Sequence, residues 1–203
     1  MRRRALVALA AVVVSGCSGD PIDSPTPVPT TPSAAVTAPQ APPTVREAVS
    51  LGTWWKDPCG LIRDWALADQ GFGWDTKGKP LQADGAPACG WTAESSADKG
   101  TVSLEVVTYA DRSPLVAAYG ASLPGFQPVG RVDANLPVAY FEPRAGACSF
   151  VVGLSESQGI KVTLTRSRPL EGDGPRTRCA VGHSAMLAAV GVIRSPDAVP
   201  PPA

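Results

Sequence analysis

The 203-residue chain carries 18 Lys and Arg against 18 Asp and Glu, with one histidine and five cysteines. Nucleic-acid binding requires a basic patch or stripe, and no basic cluster recurs after Arg2, Arg3 and Arg4, so that class of function is excluded.

The chain opens basic, then apolar, then small: the three arginines, a ten-residue apolar run from Ala5 to Val14, then Ser15, Gly16 and Cys17. That order is the pattern of a secretory signal. A membrane span needs roughly 20 apolar residues, and this run is broken by Ser15 and Gly16 at half that length, so residues 1–16 are expected to be cleaved. Val14-Ser15-Gly16-Cys17 resembles the lipobox of bacterial lipoproteins, in which small residues fit the signal peptidase and the cysteine thiol takes a diacylglycerol before cleavage. The resemblance implies lipidation of Cys17 and a palmitate-bearing anchor on the extracytoplasmic face of the cell membrane. One acyl chain holds marginally, at about 0.8 kcal/mol per buried CH2, and the two or three of a mature lipoprotein hold stably. Loss of residues 1–16 removes three basic residues and no acid, leaving 15 basic against 18 acidic and a mildly acidic mature chain.

From Pro21 to Pro43 eight prolines stand among Ser, Thr, Ala and Val. Such composition favours extended polyproline segments over a core, so residues 17–50 are expected to be the lipidated cysteine and a Pro-rich linker. Residues 51–195 have the size of one domain with a single core, and the proline-ended tail, residues 196–203, is expected to be disordered.

Asp57-Pro58 ahead of Leu61, Ile62, Trp65 and Leu67 predicts a helix over residues 58–69, with Asp57 as N-cap and Pro58 in the first turn. β-Branched and aromatic runs predict strands over residues 89–93 and 101–109. Ser113-Pro114 then repeats the helix-start signature, for a short helix to residue 121. Strands follow over residues 136–142, 147–154 and 160–165, with Gln158-Gly159 as the turn between the last two. Cys179, His183, Met186, Leu187, Val190 and Ile193 recur at spacings of three and four, which predicts a closing helix over residues 177–193 packed on the sheet. The order implies an α+β domain with a mainly antiparallel sheet covered by helices.

Besides Cys17, Cys59, Cys89, Cys148 and Cys179 remain. An even number in an exported chain reads as two disulfides. Four cysteines allow three pairings, and sequence does not choose among them; the favoured one joins Cys59 to Cys89 and Cys148 to Cys179, each tying the start of a helix to a strand. A zinc site is not expected, because structural zinc draws its ligands from close pairs and the chain has no CxxC and one histidine. Asp57-Pro58-Cys59 opening a helix, Cys89-Gly90-Trp91 opening a strand, Cys148 in a late strand and Cys179-Ala180 in the last helix resemble an actinobacterial lipoprotein family known as a domain of unknown function. The resemblance spans residues 60–190 and implies an envelope location, a disulfide-bonded α+β domain and the same pairing. It implies no catalytic residue. Thr177-Arg178-Cys179 departs from the Asp-Pro-Cys that often recurs in the family there, which leaves the start of the last helix open.

Specific chemistry finds little support. Gly182-His183-Ser184-Ala185-Met186 has Met186 where a nucleophile elbow has glycine, and a catalytic triad needs a histidine from elsewhere in the fold, whereas His183 is the single one. Asp57, Asp64, Asp69, Asp75, Asp84, Glu94, Glu105, Asp111 and Glu142 are scattered and match no motif, reading as caps, turns and solvated surface. A hydrolase site assembled from such carboxylates converging in space is the alternative reading. Gly71-Phe72-Gly73 lacks the strand, third glycine and helix start of a phosphate-cradling loop. No cofactor is expected.

The unusual feature is the crowding of Trp54, Trp55, Trp65, Trp74 and Trp91 into one stretch of chain. Trp65 and Trp91 read as core. Trp54, Trp55 and Trp74 fall in predicted loops, where exposed aromatics stack on a sugar or line an apolar pocket, and are the candidate ligand-binding residues. The sequence thus points to a non-enzymatic envelope lipoprotein. Its expected partners are the membrane, through the lipid on Cys17, and either a small apolar or sugar ligand or an envelope protein.

Overall fold

The computed structural model describes residues 41–68, 72–73, 76–94, 100–167 and 175–195. Residues 1–40, which take in the expected signal peptide, Cys17 and most of the expected Pro-rich linker, lie outside them, as do Trp74 and residues 196–203.

Seven strands form one sheet in which every neighbouring pair is antiparallel. In chain order they are β1 (Lys79–Ala83), β2 (Ala86–Glu94), β3 (Thr101–Tyr109), β4 (Gln127–Val132), β5 (Leu136–Phe141), β6 (Ala147–Gly153) and β7 (Gly159–Arg166). The helices are α1 (Asp64–Ala68), α2 (Pro114–Gly120) and α3 (Pro175–Arg194). The sheet order is β1-β2-β3-β7-β6-β5-β4, so β7 closes the fold by inserting beside β3. The α+β class read from the sequence holds.

Alternation at period two divides the sheet into two faces. One receives Trp91, Leu104, Val106, Phe150, Val162 and Leu164, all buried, and is covered by α3, α1 and a 3-10 turn, Pro58–Leu61, with Met186, Ala189 and Val190 of α3 packed into it. Each such fully buried aliphatic side chain contributes on the order of 2 kcal/mol. The other face receives Ala139, Phe141 and Val151 beneath α2, and Thr92, Ser103, Glu105 and Thr163 beyond it.

Two disulfides hold the first layer to the sheet. Cys59 pairs with Cys89 across a Cα–Cα distance of 5.0 Å, and Cys148 with Cys179 across 5.6 Å. They are the pairs that the sequence favoured, joining the 3-10 turn to β2 and α3 to β6.

The helix expected over residues 58–69 is instead two pieces. Leu61 and Ile62 are adjacent and both buried, which one stripe of a short helix does not accommodate; Ile62 takes extended dihedrals (φ −122°, ψ 117°) and separates the 3-10 turn from α1. Asp57 makes no side-chain capping bond there. Residues 44–49, which fall in the expected linker, dock on the domain. Val49 N–H donates to the Leu154 carbonyl (2.8 Å), Arg131 donates to the Thr44 carbonyl (2.9 Å) and Asn135 to the Glu47 carboxylate (2.7 Å), while Val45 and Val49 pack against the core.

Candidate functional site: an apolar trough under α2

α2 meets the sheet through two glycines. A Cβ on Gly159 would stand 2.5 Å from Pro114 Cδ, and one on Gly153 would stand 3.1 Å from Leu115 Cδ2, so glycine at these strand positions lets the helix lie close. Leu115, Ala118 and Tyr119 then bury against Ala139, Phe141 and Val151, with Phe126 edge-on to the Tyr119 ring. Because the helix presents Ala117 and Ala118, and Ala121 follows it, the side chains leave a channel of about 360 Å³ between helix and sheet. Its apolar walls are those alanines with Leu123, Phe141 and Val151. This volume lies in the usual range of small-molecule sites, roughly 300–1,000 Å³.

The other end of the trough is polar, and the β1–β2 hairpin puts it there. Ala83 and Ala86 pair across a two-residue turn in which Asp84 (φ 53°) and Gly85 (φ 70°) are both left-handed, the conformation that Asp-Gly favours. The turn carries Asp84 over β3 and β7. Its carboxylate pairs with Lys161 and accepts a hydrogen bond from the Tyr109 hydroxyl at 2.8 Å. Arg112, in the loop before α2, donates to the Asp84 carbonyl and lies over the Tyr109 ring, 5.1 Å from its centroid. Lys161 stands in β7 between Ile160 and Val162, which face the core, and so points to the trough side. The Lys161 ammonium, more than any other group, holds the Asp84 carboxyl below its ordinary value, with Tyr109 adding to the effect. Burial, and then the bond to Asp84, pushes the Tyr109 phenol well above its ordinary range, so it remains a donor.

The sequence candidates fall elsewhere. Trp54 is a core residue, 8% exposed and packed on Gly60 beside the 3-10 turn, because its backbone bond to Leu51 folds the preceding loop inward. Trp55 is exposed at 39%, with the Lys56 ammonium 4.9 Å from its ring centroid, and its carbonyl accepts from Thr108. Trp54 and Trp55 therefore do not share a surface, and Trp74 and Cys17 lie outside the described residues. His183 of α3 packs its ring on Phe150 with centroids 5.5 Å apart. Among the described acids, Asp84 alone lines the trough, where it is paired to a lysine. Glu105 lies on the half-exposed part of the second face, Asp111 is exposed and Glu142 accepts from Tyr140. No cluster of three metal-ligating side chains occurs among the described residues.

Sequence reasoning missed the trough itself, with Tyr109, Arg112 and Lys161. The one signal available was Asp84-Gly85, a hairpin dipeptide that places an acid at a turn and implies the flanking strands.

A family model described as "Protein of unknown function (DUF3558)" matches residues 12–191, most of the chain. The chain belongs to that family. The match takes in all four paired cysteines and every residue that lines the trough, so the site lies wholly within the DUF3558 region. No curated protein and no solved structure matches this DUF3558 chain.

Proposed function

We propose that this DUF3558 protein is an exported lipoprotein, anchored to the outer face of an actinobacterial membrane through a lipid on Cys17, whose domain binds a ligand without transforming it. The observation that carries the binding half is the trough: an open apolar channel on the α2 side of the sheet, closed at one end by convergent polar groups from β1–β2, β3, β7 and the loop before α2. A pocket that is mostly apolar with a few placed polar groups is the usual form of a small-molecule site. The lipobox-like Val14-Ser15-Gly16-Cys17 and the two disulfides support the anchored, exported half, since disulfides persist in oxidising compartments.

The anchor is tested by expressing the chain and its Cys17→Ala variant in an actinobacterial host fed an alkyne-bearing palmitate. The wild-type chain is expected in the membrane fraction, labelled, and the variant unlabelled. A wild-type chain that is unlabelled and recovered in the soluble fraction contradicts the reading.

A further inference from the structure

The polar end of the trough holds more positive charge than its own carboxylate balances. Lys161 and Arg112 both line it, against Asp84 alone. Asp84 directs its carboxylate to Lys161 and to the Tyr109 hydroxyl. Arg112 instead donates to a neutral carbonyl and rests on a ring face; it is exposed and forms no ion pair among the described residues. A guanidinium is a planar fork of donors that matches a carboxylate at two points. Among the lining side chains one unit of positive charge therefore remains at the mouth of an apolar channel, and its complement is a monoanion with an aliphatic tail.

The chemistry of head and tail follows from the neighbours. Asp84 occupies Lys161 and Tyr109, so the head group falls to the Arg112 guanidinium, whose planar fork matches a carboxylate. Along the remainder of the channel, Ala117, Ala118, Leu123, Phe141 and Val151 offer no side-chain hydrogen-bonding partner. Hydroxyl groups of a sugar would be desolvated there unpaired, whereas methylene groups lose only water contact.

We propose that the trough binds a single-chain fatty acid, with its carboxylate on the Arg112 guanidinium beside Lys161 and its tail running under α2 over Phe141 and Val151. This rests on the trough being the ligand site. Arg112 sets the preference for an anionic head, and the small side chains at 117 and 118 make room for the tail.

The test uses the full chain with Cys17→Ser, so that no detergent competes, titrated calorimetrically with dodecanoate, dodecyl phosphate, dodecyltrimethylammonium and acetate below micelle-forming concentrations. Dodecanoate is expected to bind one to one, at least tenfold tighter than the cation of equal tail length, and acetate not measurably. Arg112→Ala should weaken dodecanoate about tenfold and leave the cation unchanged. Ala117→Trp, at an exposed helix position that fills the mouth without entering the core, should abolish binding of every tailed ligand while the thermal midpoint holds. Equal binding of all three tails, unaffected by Arg112→Ala, overturns the fatty-acid inference and leaves an unselective apolar site. Tighter binding of dodecyl phosphate than of dodecanoate overturns the choice of a carboxylate head. No binding of any tailed probe, or binding that survives Ala117→Trp, removes the trough as the site altogether.

Discussion

Trp54 and Trp55 are neighbours in sequence and opposites in environment, and the difference sets what each contributes. The Trp54 ring packs into the core against Gly60, so Trp54→Ala is expected to cost about 3–5 kcal/mol. Trp55 stands in solvent with Lys56, and Trp55→Ala should change stability by no more than about 0.5 kcal/mol. Urea titrations of the two variants check this pair, and equal losses would contradict the placement. Asp84 makes a second residue-scale prediction, in pH. Its carboxyl is held below its ordinary value, chiefly by Lys161, so the stability it contributes is fully present above the unfolded value of 3.8 and is lost as pH falls through the lower folded value. Asp84→Asn retains a residue that tolerates the left-handed turn and removes the charge. Because the Asp84 side chain is 54% exposed, the variant should lose less than about 1 kcal/mol at pH 7, and its deficit relative to the wild-type chain should shrink steadily below pH 4 in urea titrations. A deficit that does not change with pH would mean that the carboxylate charge contributes nothing there.

At the scale of elements, the strands with strong alternation were legible and the edges were not. β3 runs over the residues that the sequence predicts, and β5, β6 and β7 differ from prediction by a residue or so at their ends, because each carries a β-branched or aromatic run bounded by turn residues. β1 and β4 were missed for one reason: both lie at sheet edges, carry prolines at positions 80 and 128 and present mostly exposed side chains, so neither shows an apolar run. The closing helix, expected over residues 177–193, extends by two residues at its start and one at its end. The disulfides act at this scale too. Each closes a loop of 30 or 31 residues, which corresponds to roughly 3–4 kcal/mol in the chain-entropy account. A Cys148→Ser, Cys179→Ser double variant should therefore lose about that amount in denaturant unfolding with α3 retained by circular dichroism, and a loss below about 1 kcal/mol would show that α3 is held by packing alone.

Across the whole molecule, the trough draws on side chains from the β1–β2 turn, β3, the loop before α2, α2 itself, β5, β6 and β7. No stretch of sequence contains more than a fragment of it, and Lys161 reads in isolation as one charge inside a strand, so the site was invisible until the sheet order brought β3 beside β7. The crowded tryptophans were conspicuous in sequence, yet Trp54 and Trp91 are buried beside the Cys59–Cys89 disulfide and contribute to packing. That the domain takes a small ligand in the trough is tested most directly by native mass spectrometry of the full chain with Cys17→Ser, secreted by an actinobacterial host and purified without detergent. A reproducible added mass is predicted, retained in Trp55→Ala and absent in Ala117→Trp; a clean unliganded mass, or an added mass that disappears with Trp55 rather than with the trough, would contradict it.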